Sequence, residues 1–204
     1  MRPHNTLFSL QQIVLDLSAV KRNHMHVGSE QHENDIEHSF TVALLCWFIC
    51  ERFKLPLDQM RVLKYAMAHD FVEVYAGDTN TYADDTARKQ KVEREQAALE
   101  QLSRELKEFQ DLVQTMQAYE AKADDEALFV WTVDKMQQLI LGDMDNWRPY
   151  QNINITYDRF EQKITEHLGK ASPYCKEIFT SLIEYCKTTY YDKPDGSTST
   201  QDGK

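Results

Sequence analysis

The chain has 204 residues and a formal net charge of −10 at pH 7, a length that suits one domain with a sizeable core. Its acidic balance argues against sequence-independent nucleic-acid binding, which needs a basic surface. The sequence is 42% hydrophobic but contains only 6 glycines and 5 prolines, which favours long helices over a sandwich or barrel.

No apolar run approaches the roughly 20 residues that a membrane span requires, and the polar N-terminus lacks the pattern of a secretory signal. The four cysteines, Cys46, Cys50, Cys175 and Cys186, form no CxxC motif. They are predicted to be free and mostly buried thiols in a reducing compartment. We therefore expect a cytoplasmic protein.

The first part of the chain predicts one helix and one loop. Apolar residues at helical spacing indicate a helix over residues 7–20. The polar segment that follows, residues 21–34, is interpreted as a loop, and ordinary loop polarity accounts for its histidines better than metal binding does. These histidines are His24, His26 and His32.

Helix-start signals place the next two helices. Asn34 and Glu37 resemble a capping box, so a helix is predicted over residues 35–53. A third helix is expected to open at Pro56 with Asp58 and to continue to residues 76–77, where glycine suits a helix end.

The remaining pattern is also helical. Helices are predicted over residues 86–106, 108–121 and 124–141, and from Thr156 and from Ser172 to about residue 190. Residues 192–204 are polar and turn-rich, which predicts a disordered tail. No convincing alternating strand is present. The prediction is therefore an all-α single domain over residues 1–191, a bundle of about seven or eight helices.

Four ionisable residues lie at or inside apolar helical runs: His38, His69, Asp70 and Asp134. Burial of an unpaired carboxylate is costly, so such residues are normally paired or coordinate a cation. Two imidazoles and two carboxylates from three helices suit a divalent transition metal with open positions. The alternative is a set of unrelated buried polar residues, each satisfied by hydrogen bonds.

A fifth residue adds acid-base capacity to this set. Glu73 follows His69 by four residues and shares its helical face. Its carboxylate could therefore move a proton beside a metal site.

The order of these residues resembles the H…HD…D signature of the HD-domain phosphohydrolases. IEHS resembles the segment with the first histidine, HDFVEVYAGDT resembles the 5'-deoxynucleotidase-like branch, and VDKM resembles the segment with the last aspartate. The resemblance runs from about residue 10 to residue 141. It implies that one divalent metal (Mn, Co, Fe, Ni, Zn or Mg) is held by His38, His69, Asp70 and Asp134.

The same resemblance assigns roles around the metal. Glu73 would be the catalytic carboxylate, Asp78 would contact the sugar or orient water, and Arg22 would bind phosphate. Relatives often carry a tryptophan after that arginine, but this chain has Asn23, so base and sugar selectivity do not carry over.

Three further residues are weaker candidates. Lys89 and Lys91 head a strongly charged helix and could reach phosphate, although a solvated helix face is the preferred interpretation of this charge. Glu120 lies where relatives often place an acidic residue near the site.

The leading functional expectation is hydrolysis of deoxynucleoside 5'-monophosphates to a deoxynucleoside and phosphate. The alternatives are a dNTP triphosphohydrolase that releases triphosphate and a non-catalytic HD module that binds a nucleotide or a partner protein. We expect a small-molecule nucleotide as substrate, no nucleic-acid polymer and no membrane as partner, and a homodimer by family analogy.

Overall fold

The computed structural model describes residues 3–82 and 85–190, without the side chains of Pro3, Asp85, Arg88 and Tyr190. The predicted tail over residues 192–204 lies outside this range. The domain boundary at residue 191 therefore remains a prediction.

The described part of the chain is an α-helical bundle, which confirms the predicted fold class. It contains eight helices of ten residues or more and two helices of a single turn. They are α1 Pro3–Ser18, α2 Asp35–Phe53, α3 Gln59–Ala68, α4 Glu73–Ala76, α5 Asp85–Glu105, α6 Gln110–Ala121, α7 Asp125–Met144, α8 Arg148–Asn152, α9 Tyr157–Lys170 and α10 Lys176–Tyr190. None of these helices has the length and apolar character needed to cross a membrane.

The capping box predicted at the start of α2 is present. The Asn34 side chain accepts hydrogen bonds from the backbone N–H groups of Ile36 and Glu37, at 3.0 and 3.1 Å. The Glu37 carboxylate accepts one in return from the Asn34 backbone N–H at 3.1 Å. Because these bonds fix the first turn of α2, they also fix the direction in which His38 leaves it.

The segment predicted as a loop after α1 instead forms a β-hairpin. Strand β1, Lys21–Met25, pairs antiparallel with strand β2, His32–Asn34. The buried positions of the two strands are Arg22 and Glu33, which are charged. The sequence therefore lacks the alternation of apolar and polar residues by which a half-buried strand is recognised.

The third helix is shorter than predicted. It ends at Ala68, and the chain turns through His69 and Asp70 before the single-turn α4. Tighter backbone bonds mark this turn, from Phe71 N to Ala68 O (3.1 Å) and from Glu73 N to Asp70 O (2.9 Å). At this turn, His69 and Asp70 lie within 3.5 Å of His38 on α2.

Helices α2, α3 and α7 pack on one another at the centre of the bundle. Their shared core includes Val42, Cys46, Val62, Phe129, Val130 and Val133. A second apolar cluster joins α1 to α5 and α6, with Leu17, Leu102, Leu106 and Met116 fully buried. All four cysteines are free and buried, as predicted. Helices α2 and α7 carry two of the predicted metal ligands, and the turn after α3 carries the other two.

Gly142 allows the segment after α7 to fold back onto that helix. A Cβ atom at this position would lie 2.9 Å from Trp147 Cζ3 and 2.9 Å from Tyr150 Cε2. Real Cβ atoms do not approach ring carbons so closely, so only glycine permits this packing. The consequence is that α8 lies beside β1 and α7.

Substitution Gly142→Ala should lower the free energy of unfolding by about 1–3 kcal/mol, because the two rings must move out of well-packed positions. The matched control is Gly169→Ala in α9, where an added Cβ meets no atom within 4 Å. It should raise stability by up to about 1 kcal/mol, since alanine is the better helix former. Thermal melts followed by circular dichroism measure both, and equal melting temperatures would contradict the packing argument.

Candidate metal centre and substrate cleft

The fold brings the four predicted metal ligands together. His38 Nε2 lies 3.2 Å from His69 Nε2, 3.2 Å from Asp134 Oδ1 and 3.5 Å from Asp70 Oδ2. His69 Nε2 also lies 3.2 Å from Asp70 Oδ2. His38, His69 and Asp134 are buried. These atoms, from α2, the turn after α3, and α7, converge on one point between the helices.

The partners of the outer ring nitrogens fit a metal-binding role. His69 Nδ1 lies 2.8 Å from the carbonyl oxygen of Ala66, which can only accept, so Nδ1 carries the proton. His38 Nδ1 faces the Glu33 carboxylate at 3.6 Å. Metal-binding histidines commonly have such a partner, because it leaves the lone pair of Nε2 for the metal.

The two Nε2 atoms face each other at 3.2 Å, so either a proton or a metal ion must lie between them to prevent repulsion of their lone pairs. Burial and Arg22 lower the pKa of His38, but the neighbouring Asp134 and Glu33 carboxylates outweigh them and raise this pKa to about 9. The cluster therefore attracts a cation, and its mixed nitrogen and oxygen donors suit a first-row divalent metal.

Each carboxylate of the cluster has a basic neighbour. Arg22 Nη1 donates to Asp70 Oδ2 at 2.6 Å, and Lys135 Nζ donates to Asp134 Oδ2 at 2.6 Å. Burial raises the pKa of Asp134, but Lys135 and His38 outweigh it, and the net shift is well below the usual range. Both aspartates therefore remain ionised and available as oxygen donors.

Arg22 lies in a second acidic group that the sequence did not reveal. Besides Asp70, its Nη1 donates to Asp35 Oδ1 at 3.0 Å and lies 3.8 Å from Glu73 Oε2. Asp35 is fully buried, and burial followed by the charge of Asp70 raises its pKa to about 6. In the sequence, Asp35 has the ordinary features of an acidic residue in the first turn of a helix. Its role in holding Arg22 depends on the hairpin.

Glu73 is the first residue of α4 and is 4% exposed. Burial, Asp70 and Asp78 together hold the pKa of its carboxyl well above the usual range. Lys91 Nζ lies 3.8 Å from its Oε1. A buried carboxyl with a raised pKa beside a cation site is suited to hold and transfer a proton near neutral pH.

A cleft opens beside this cluster. Its charged part is lined by Arg22, Asp70, Glu73, Asp78, Lys91, Asp134 and Lys135, and a less polar part is lined by His24, Tyr82, Pro149, Tyr150 and Ile153. The Tyr82 and Tyr150 rings form a T-shaped pair with a centroid distance of 5.9 Å. The cleft thus combines a charged end with an aromatic end, as small-molecule sites commonly do.

The predicted substrate residues divide into two groups. Asp78 and Lys91 line the cleft, and Asp78 Oδ2 accepts a hydrogen bond from Asn23 at 3.4 Å. Lys89 is exposed and is not part of the cleft lining. Glu120 is also exposed outside the cleft, where it lies 3.7 Å from Lys122. Of the two predicted lysines, the cleft lining therefore includes Lys91 and not Lys89.

The hairpin histidines have separate environments. His24 lines the cleft, and its ring lies 6.0 Å from that of Tyr150. His32 Nδ1 lies 2.7 Å from the Arg22 carbonyl, and His26 Nε2 lies 3.2 Å from Glu37 Oε2. Of the three, His24 is the one that the sequence interpretation undervalued, because its position depends on the unpredicted strand β1.

The bundle and its cluster of two histidines and two aspartates define an all-α protein with a candidate divalent-metal centre. Residues 14–176 match the sequence profile of the HD domain. The chain belongs to the HD domain family. This confirms the resemblance at the level of the superfamily, whereas the 5'-deoxynucleotidase-like branch remains a prediction.

A solved structure shares the fold. The crystal structure of a predicted metal-dependent phosphohydrolase from Magnetospirillum magnetotacticum MS-1 superposes with a TM-score of 0.74 at 23% sequence identity, covering 94% of this chain and 97% of that one. Comparison with curated protein sequences gives no significant match. At this identity, the structural likeness establishes a common fold.

Substitution His69→Ala should lower the bound first-row metal at least tenfold, because it removes one of two imidazole donors from the cluster. Metal analysis of the purified protein by mass spectrometry measures this content. His167→Ala is the matched control: it removes another buried histidine, one whose ring packs on Trp131. Full metal content in the His69 variant would refute the ligand assignment.

Proposed function

We propose that this protein is a metal-dependent phosphohydrolase that converts deoxynucleoside 5'-monophosphates to deoxynucleosides and phosphate. The observation that carries the proposal is the position of Glu73, a buried carboxyl that lines the cleft directly beside the histidine–aspartate cluster. Membership of the HD domain family and the resemblance of HDFVEVYAGDT to the 5'-deoxynucleotidase-like branch support it.

His38, His69, Asp70 and Asp134 would hold the metal. When bound, a divalent ion withdraws electron density from a phosphoryl oxygen and lowers the pKa of water. The identity of the ion stays open among the first-row divalent metals and Mg, because histidine and carboxylate donors accept several of them.

Glu73 would transfer the proton that the reaction requires. Phosphate ester hydrolysis leaves a sugar alkoxide, which must be protonated as the bond to phosphorus breaks. Because burial and the neighbouring carboxylates keep the pKa of Glu73 high, this group carries a proton near neutrality and can donate it to the leaving oxygen.

The basic residues of the cleft would bind the phosphate. Arg22 is largely committed to Asp70 and Asp35, so its first role is to orient Asp70 while adding positive charge to the cleft. Lys91 lies at the side of Glu73, where its ammonium group could reach a phosphate oxygen. Asp78, which accepts a hydrogen bond from Asn23, would accept another from a sugar hydroxyl.

A dNTP triphosphohydrolase is the second candidate. The observation that favours it is the presence of two lysines, Lys91 and Lys135, along the cleft in addition to Arg22. More positive charge than a monophosphate needs would suit a longer phosphate chain. The cytoplasmic location remains a prediction for either activity.

A panel of deoxynucleoside monophosphates and triphosphates, each with added Mn, Co or Mg, tests the proposal. We expect orthophosphate from the monophosphates, whereas triphosphate released from the triphosphates would favour the second candidate. Substitution Glu73→Gln keeps the shape of the side chain and should lower kcat by about 10²–10⁴-fold. Glu120→Gln changes an acidic residue outside the cleft and should leave kcat unchanged.

Absence of turnover with every substrate and metal would contradict both hydrolase assignments. Nucleotide binding without turnover would then identify a non-catalytic HD module. Full activity of the Glu73 variant would refute the role assigned to that carboxyl while leaving the metal site intact.

A further inference from the structure

Three consecutive residues of strand β1 line the substrate cleft: Arg22, Asn23 and His24. Successive side chains of a regular strand point to opposite faces, so three in a row reach one cleft only where the strand is irregular. The pairing of β1 with β2 is irregular between Lys21 and Met25. Irregularities of this kind re-aim side chains and are common next to functional sites. The hairpin therefore presents three neighbouring side chains to the cleft.

The contacts of these three residues follow one another along the cleft. Arg22 lies in the acidic group beside the metal cluster. Asn23 donates at 3.4 Å to Asp78, the carboxylate to which the proposed function assigns a sugar hydroxyl. The ring of His24 lies 6.0 Å from that of Tyr150 at the aromatic end. The order of a charged group, a polar pair and an aromatic ring is also the order of phosphate, sugar and base in a nucleotide.

His24 has an unpaired polar atom at this position. Its Nδ1 is buried and has no hydrogen-bond partner in the part of the chain that the structure describes. Burial and the charge of Arg22 lower the pKa of His24 to about 4. At pH 7 the ring is therefore neutral, with one nitrogen that donates and one that accepts. A buried polar atom without a partner is costly, and a ligand that pairs with the ring would recover that cost.

The aromatic end of the cleft is well packed around His24. The Tyr150 ring forms T-shaped pairs with Trp147 and Phe160 at centroid distances of 5.2 and 6.2 Å, and with Tyr82 at 5.9 Å. Rings held in this way offer a flat ligand a stacking or edge contact. A nucleobase has such a flat surface, and the donors and acceptors on its edge match those of a neutral imidazole.

We propose that His24 is a specificity-determining residue, which forms a hydrogen bond with the nucleobase of the substrate while the base lies against Tyr150. The assignment rests on the proposed function, because it takes the substrate to be a nucleotide. It adds that the base, and not only the phosphate and sugar, contributes binding energy to hydrolysis. A phosphate ester without a base lacks that contact.

Two other roles fit His24 less well. It belongs to neither of the two groups of potential metal-ligand atoms that converge among the described residues. A structural histidine normally pairs within the fold, as His32 does with the Arg22 carbonyl at 2.7 Å, whereas Nδ1 of His24 has no such partner. A neutral ring also binds phosphate more weakly than the neighbouring cations do.

Substitution His24→Phe tests the proposal, because it keeps a ring against Tyr150 and removes both nitrogens. The measured quantity is kcat/KM for the preferred deoxynucleoside 5'-monophosphate divided by kcat/KM for deoxyribose 5-phosphate, which has no base. His24→Phe should lower this ratio about 10-fold, since it removes one hydrogen bond. His24→Gln keeps a donor and an acceptor and should retain most of the ratio. The matched control, His26→Phe, lies on the same hairpin outside the cleft lining and should leave the ratio unchanged.

Titration calorimetry gives a readout that does not need turnover. In the Glu73→Gln background, adding His24→Phe should weaken binding of the nucleotide about 10-fold relative to deoxyribose 5-phosphate. Thermal melts check folding, and His24→Ala replaces the Phe variant if that variant is unstable. An unchanged ratio, or an equal loss with both substrates, would overturn the role of His24 and leave the hydrolase assignment intact. Turnover of deoxyribose 5-phosphate without turnover of any nucleotide would instead contradict the proposed function.

Discussion

Buried negative charge is the constraint on which the structure depends. The carboxyl groups of Asp35, Asp70, Glu73 and Asp134 lie together between α2, α4 and α7, with Glu33 of the hairpin beside them, and only Glu73 is expected to hold a proton near neutral pH. Carboxylates in such a group raise the cost of ionising one another unless cations neutralise them. Arg22 and Lys135 neutralise part of this charge, and the convergent nitrogens of His38 and His69 leave a place for a metal cation. The site is thus also a condition for the stability of the fold.

Several departures from regular structure follow from this constraint. The hairpin carries Arg22 into the acidic group. Contact of His32 Nδ1 with the Arg22 carbonyl oxygen joins its two strands at this position. The break after α3 places His69 and Asp70 at the end of a helix, where their side chains can reach α2. Gly142 lets α8 fold back, so that Tyr150 reaches the cleft. The hairpin, the break after α3 and the close packing at Gly142 each bring a side chain to the metal cluster or the cleft.

Local signals were sufficient to predict much of the fold from the sequence. The capping residues Asn34 and Thr156 begin helices as predicted, and the long apolar run around Phe129 forms the central helix. The candidate metal ligands could be recognised because a charged residue is conspicuous in an apolar run. Their convergence in space agrees with the resemblance, and the family match confirms the resemblance at the level of the HD domain.

The rest could not be predicted, because it depends on contacts between distant segments. The strands of the hairpin bury Arg22 and Glu33, so the usual apolar signal of a strand is missing. In the sequence, Asp35 and Lys135 look like ordinary helix residues. Only the folded structure shows that they contact Arg22 and Asp134, respectively.

The central claim is that two histidines and two aspartates from three parts of the chain share one metal ion. X-ray absorption at the edge of whichever first-row metal the purified protein retains tests it most directly. We expect a first shell of nitrogen and oxygen at about 2.0–2.2 Å, with the outer-shell scattering of two imidazole rings. A shell of oxygen alone, without imidazole scattering, would contradict the assignment of His38 and His69 and the account built on it.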